Sequence, residues 1–189
     1  MLILILGLIL FLGVHSVRIF APGIRDAQIA KRGLGPWKGL YSLVAFAGFV
    51  LIVWGYGIAR QTAPILYEPP VWTRHLNLLL MVFAFIALAA SQLPAGRIKA
   101  ALKHPMLVAV KIWALGHLLA NGDLAALLLF GTFLAWAVLD RISVKRRGDV
   151  GPAPGPLTWD IAAIVIGLVA YALFAFVLHE WLIGVPVIA

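Results

Sequence analysis

Six stretches of this chain, residues 2–20, 40–59, 75–92, 105–121, 124–139 and 159–183, are almost continuously apolar. Nothing else in the sequence limits the fold as much. A helix that crosses a bilayer needs about 20 such residues, and in hydrocarbon every backbone N–H and C=O must find its partner within the protein. With 63% of residues hydrophobic and 12% charged, the chain has too few polar groups to cover a water-soluble globule, which carries roughly 25% charge. The runs are continuous rather than alternating, which excludes a membrane β-barrel. The expected fold is an all-α integral membrane protein, a six-helix transmembrane bundle. The first run has no Lys or Arg before it and no small-residue cleavage site after it, so it reads as a retained span rather than a signal peptide.

The connections between the runs set the expected orientation. Arg18, Arg25, Lys31, Arg32 and Lys38 lie between the first and second runs, Arg97, Lys99 and Lys103 between the third and fourth, and Arg141, Lys145, Arg146 and Arg147 between the fifth and sixth. Twelve of the 15 basic residues therefore fall on one side, against Arg60 and Arg74 on the other. By the positive-inside rule the three basic loops are cytoplasmic and both termini lie on the non-cytoplasmic side. A net charge of +8 would suggest a nucleic-acid partner in a soluble protein. Here it reads as loops facing an anionic membrane surface, with no nucleic acid expected. Trp54, Tyr56, Trp72 and Trp181 fall at the outer ends, as an aromatic belt should.

The turn chemistry fits a single domain over residues 1–189. Pro69-Pro70 stiffens the second connection, and Asn121-Gly122 makes the fourth one tight enough for an antiparallel hairpin. Residues 148–158, rich in Gly and Pro, read as a flexible linker between a five-helix core and its basic loop over 1–147 and a more loosely attached last helix over 159–183.

Several chemistries lack their residues. There is no Cys, which excludes disulfides, Fe–S clusters and a thiol nucleophile. No acidic pair sits in mid-membrane for a carboxylate proton relay. H-E-x-x-H, G-x-S-x-G and P-loop motifs are absent. What the spans do carry is histidine and lysine: His15, Lys111, His117 and the pair His179-Glu180, with His75 and His104 at span ends. Burying such groups costs about 2.5–3.5 kcal/mol even on the gentler scales, which marks them as candidate functional positions.

Arg18 lies three residues after His15, about 60° round the helix, so an imidazole and a guanidinium can serve one face. In the fourth run Lys111 falls within about 20° of His104, whereas His117 falls roughly 140° away. His104 with Lys111 therefore forms one polar edge, and His117 with Trp113 another. His179-Glu180 reads as an interfacial pair. Histidines on different helices of a cysteine-free bundle suit a haem held between them, because imidazoles ligate iron and Arg or Lys can meet the propionates. By depth, His15 and His117 are offset by roughly 12 Å along the bundle, and His104 is the better match for His15 and His75 for His117 if tilt does not close that gap.

The segments His15-Ser16-Val17-Arg18, Gly35-Pro36-Trp37-Lys38-Gly39-Leu40-Tyr41-Ser42, Pro94-Ala95-Gly96-Arg97-Ile98-Lys99-Ala100 and Lys103-His104-Pro105-Met106, with His117 thirteen residues after His104 and Asp140-Arg141 closing the set, carry a resemblance. Together they resemble the NnrU family of membrane proteins along most of the chain, most clearly over residues 1–147. The family is in turn similar to the plant and cyanobacterial 15-cis-zeta-carotene isomerase, which has Arg-His-Pro-Gln where this chain has Lys-His-Pro-Met. That similarity implies haem b with two axial histidines matching His15 and His117; Arg18, one turn beyond His15, and Trp113 and Lys111 of the fourth run are the further candidate cofactor-binding residues by position. His104 and His75 are the alternative metal ligands.

The family resemblance implies a multi-pass protein of the bacterial inner membrane linked to denitrification and nitric oxide metabolism. The isomerase similarity implies an alternative, a haem-dependent cis–trans isomerase acting on a hydrophobic polyene. A more distant similarity, through an R-H-P segment near a helix start, is to isoprenylcysteine-type membrane methyltransferases, whose downstream acidic pair is missing here. The lipid bilayer and haem are the expected partners, and the oligomeric state is left open.

Overall fold

A computed structural model describes residues 1–187. Helix α1 (Leu2–Phe20) is followed by the short surface helix α2 (Pro22–Arg32) and the long α3 (Leu34–Thr62). After an irregular stretch come α4 (Val71–Gln92), the single-turn α5 (Arg97–Leu102), α6 (Pro105–Ala120) and α7 (Leu124–Arg146). Helix α8 (Leu157–Leu173) continues through a π-helical turn (Phe174–Leu178) into α9 (His179–Ile183). The described residues contain no named strand, only an isolated bridge between Ile65 and Asp123.

Five helices are long and apolar enough to cross a membrane: α1, α3, α4, α7 and the continuous 27-residue run Leu157–Ile183. Helix α6 has 16 residues and so spans only about 24 Å, short of a hydrocarbon core about 30 Å thick. It starts late because Pro105 occupies its first turn, where the missing N–H costs nothing. It ends early because the chain turns sharply at Asn121-Gly122, and the Asp123 side chain then caps α7 by accepting from the Ala126 N–H at 2.9 Å. The basic connection after α1 also differs from the plain loop expected. Pro22 starts an 11-residue helix with no buried residue, and Gly33 at φ 86° ends it.

Helix α1 packs against α3 and α7, α6 against α7 and α4, and α4 against α8. Leu4 and Leu8 of α1, Ile52 of α3, Ala114 of α6 and Leu129 and Phe130 of α7 form the core. Helix α1 lies against α3 with almost no gap: a methyl added at Gly48 would stand 2.6 Å from the Phe11 backbone nitrogen. In lipid, small residues at such a crossing let dispersion contacts replace the missing hydrophobic drive. The outer faces carry Phe46, Phe83, Ile161, Val169 and Phe176 in the open. A continuous apolar exterior of this kind is a surface for acyl chains, not water.

The last helix is tied to the core at its first turn. Asp160 of α8 is 5% exposed, and its carboxylate accepts from the backbone N–H groups of Arg97 at 3.0 Å and Ile98 at 2.9 Å. The connection before it runs close to the core, with Gly151 against the Lys103 backbone.

Candidate functional site

One stripe along α1, Leu4, Leu8, Phe11, His15 and Arg18, runs from the core to the basic end of the bundle, with spacings of four and three that keep it on one face. A matching stripe on α7 runs Phe130, Phe133, Trp136 and Asp140, with Arg147 just past the helix end. Where these stripes leave the core they open into a cavity of about 560 Å³. The start of α3 adds Trp37, Lys38 and Tyr41, and the α5–α6 junction adds Lys103 and His104. Its volume lies within the range usual for cofactor and ligand sites, about 300–1,000 Å³.

His15 sits in this cavity with its ring 5.2 Å from Tyr41 and 6.0 Å from Trp136, both edge-on. Its Nδ1 lies 2.6 Å from the Phe11 carbonyl oxygen one turn back. A carbonyl can only accept, so Nδ1 donates, and Nε2 is the nitrogen left to carry a lone pair in the neutral form of the ring. A backbone partner that fixes the tautomer in this way is the usual support of a metal-binding imidazole.

His104 approaches from the other element. It precedes Pro105 at the start of α6, and the chain before it is strained: Lys103 has φ 62° and ψ −55°, and the His104 N–H donates to the Leu102 carbonyl at 2.7 Å. This is a γ-turn of the rare positive-φ kind. Its Nε2 is buried and has no hydrogen-bond partner among the described residues. The nearest opposite charge is Asp149, 3.7 Å away, too far for a hydrogen bond.

His117 is held like His15, with Nδ1 2.8 Å from the Trp113 carbonyl oxygen, but it lies elsewhere. Its ring stacks on Phe130 at 4.5 Å and contacts Trp113 at 5.6 Å. Between the two histidines the rings form a chain: Phe11 is 4.3 Å from His15 and 5.7 Å from Phe133, and Phe133 is 5.3 Å from Trp113. The structure therefore brings His15 and His104 to one cavity and keeps His117 one aromatic layer away.

The remaining residues fall as follows. Arg18 lines the cavity and its side chain has no polar partner among the described residues. Trp113 belongs to the aromatic layer. Lys111 is half-buried and outside the cavity lining; it shares an angular position with His104 but lies two turns, about 10 Å, further along α6. His75 is exposed near the start of α4. His179 donates from Nδ1 to the Val185 carbonyl at 2.7 Å, at the far end of the molecule. Among the described residues no group of three or more His, Cys, Asp or Glu is placed to hold a bare metal ion. A haem site asks for only one or two protein ligands.

Trp136 is the residue that sequence reasoning passed over. It lines the cavity, and its buried indole Nε1 lacks a partner among the described residues. The signal available was its place three residues after Phe133 and four before Asp140 on one helical face.

No curated protein and no solved structure matches the chain. Residues 3–187 match the family described as NnrU protein. That match covers nearly the whole bundle, cavity and aromatic layer included, and the chain belongs to the NnrU family.

Proposed function

We propose that this is a haem b-binding protein of the bacterial inner membrane, with nitrogen-oxide metabolism as the setting that the family resemblance implies. The observation that carries the proposal is the pair of imidazoles on one cavity: His15, whose Nδ1 is taken by the Phe11 carbonyl so that Nε2 is the nitrogen left for a ligand, and His104, whose buried Nε2 has no hydrogen-bond partner among the described residues. The residues present suit the group, because His15 and His104 would supply imidazole nitrogens to its iron, and the aromatic part of the wall would pack against its apolar rings. Bound haem supplies an iron centre capable of one-electron exchange, at a potential set by its ligands and burial. The chain itself contributes orientation through the Phe11 carbonyl, and cations for the propionates through Arg18, Lys38 and Lys103.

In this reading α6 is the sixth span, the bundle has both termini on the non-cytoplasmic side, and the cavity opens to the cytoplasm. Its short length is met by local thinning of the bilayer or by tilt.

An absorption spectrum of the detergent-purified protein from haem-replete cells tests the proposal. A Soret band with six-coordinate features is expected in the wild type. His15→Ala and His104→Ala lose those features, while His117→Ala keeps them. Loss in His117→Ala with retention in His104→Ala would restore the His15–His117 pair implied by the isomerase similarity. A monodisperse wild-type protein without a Soret band would overturn the haem reading.

A further inference from the structure

The cavity holds one more unmet requirement, and it is of a different kind from that of the imidazoles. An indole N–H can only donate, and when buried it ordinarily finds an acceptor. Trp136 Nε1 is buried in the cavity wall with none among the described residues. The cations on the same wall are also open. Arg18, Lys38 and Lys103 line the cavity, and no hydrogen bond or ion pair engages their side chains among the described residues. The acids on the same wall have partners of their own: Asp140 lies 4.0 Å from Arg147, and Asp149 accepts from the Gly151 N–H at 3.0 Å and faces His104. Lys99, a further cation on the wall, is spent on the Ser91 and Leu93 carbonyls that end α4.

A buried lone donor beside three uncommitted cations is a place for an oxyanion. We infer that Trp136 Nε1 and the Arg18–Lys38–Lys103 rim form an oxyanion subsite that takes a carboxylate or phosphate oxygen of an amphiphile whose apolar part enters the cavity. The amphiphile character follows from the walls. Val14, Met106, Leu107 and the His15–Tyr41–Trp136 rings line the same space as the cations. Two sources share this chemistry. One is a haem propionate, in which case the inference rests on the haem reading above. The other is the phosphate of an anionic phospholipid from the cytoplasmic leaflet, which needs no haem.

Trp136→Phe is the informative variant, because it removes the N–H and keeps an aromatic ring at this position, though a smaller one. Haem per protein and phospholipid phosphorus per protein are measured on monodisperse samples after identical detergent washing. The wild type is expected to retain one of the two, and Trp136→Phe to retain it at least threefold less well. Arg18→Ala, at an exposed position that does not support the core, should lower it as well, and Arg18→Lys should restore part of it. If haem is the retained species, the propionate is the source. If the wild type holds no haem but keeps phosphorus that Trp136→Phe loses, the haem reading fails and the subsite stands as a lipid site. Equal retention in wild type and both variants, or no retention of either species by the wild type, overturns the subsite. Should Trp136→Phe fail to fold, the Arg18 pair alone decides by the same criterion.

Discussion

Asp160 on the last long helix and Ile98 on the single-turn α5 are joined by a 2.9 Å hydrogen bond from a backbone N–H to a carboxylate oxygen. The two residues are 62 positions apart in sequence. The second carboxylate oxygen takes the neighbouring Arg97 N–H, so one side chain satisfies two of the four donors that a helix start leaves open. A carboxylate at the positive end of even a short helix is favourably placed. It also couples the last helix to the basic end of the bundle, next to the cavity.

Asp160→Ala leaves two backbone donors without an acceptor, at a cost of about 2 kcal/mol. Asp160→Asn keeps one oxygen acceptor and is expected to cost about half as much. The measurement is the apparent melting temperature in detergent, together with protease cleavage within residues 148–156. Faster cleavage in Asp160→Ala than in wild type is expected. Unchanged cleavage and melting would show that the last helix is held by its apolar contacts alone.

Lys103 adopts its positive φ without the freedom that glycine has, and such positions store on the order of 1–3 kcal/mol. Lys103→Gly should therefore raise the melting temperature by a few degrees, and Lys103→Val should lower it. Both remove the cation, so both weaken retention of an anionic ligand. A lower melting temperature for Lys103→Gly than for Lys103→Val would contradict the strain at this turn.

The orientation is checked by fusion at the C-terminus. A reporter active only in the cytoplasm is expected to give no signal there, and strong signal when inserted in the basic segment between α7 and α8. The reverse pattern would place the cavity mouth on the opposite face of the membrane.

The apolar runs, Pro105 and Asn121-Gly122 made most of the helical layout readable, because span length and turn chemistry are local properties. Helix α2 escaped notice because its polar residues were read as a charged connection, although Pro22 and Gly33 bracket it as a helix start and stop. The last helix read as loosely attached because nothing local reveals that Asp160 faces α5. The site was half readable. His15, Arg18 and His104 carry charge or titratable groups into or beside apolar runs and stand out by that alone. Trp136 does not, since an aromatic residue in a span is unremarkable until its N–H is seen without an acceptor. Angular arithmetic put Trp113 and His117 on one face, where their rings indeed meet. It also put Lys111 with His104, and there the rise along the helix separates residues that share an angle.

The layer of Phe11, Phe133 and Trp113 has a consequence for traffic. Rings at successive contact distances, backed by Phe130 at 4.9 Å from Trp113, fill the space between His15 and His117. A chamber that ends behind His15 and does not continue to His117 has the form of a receptacle, not of a channel.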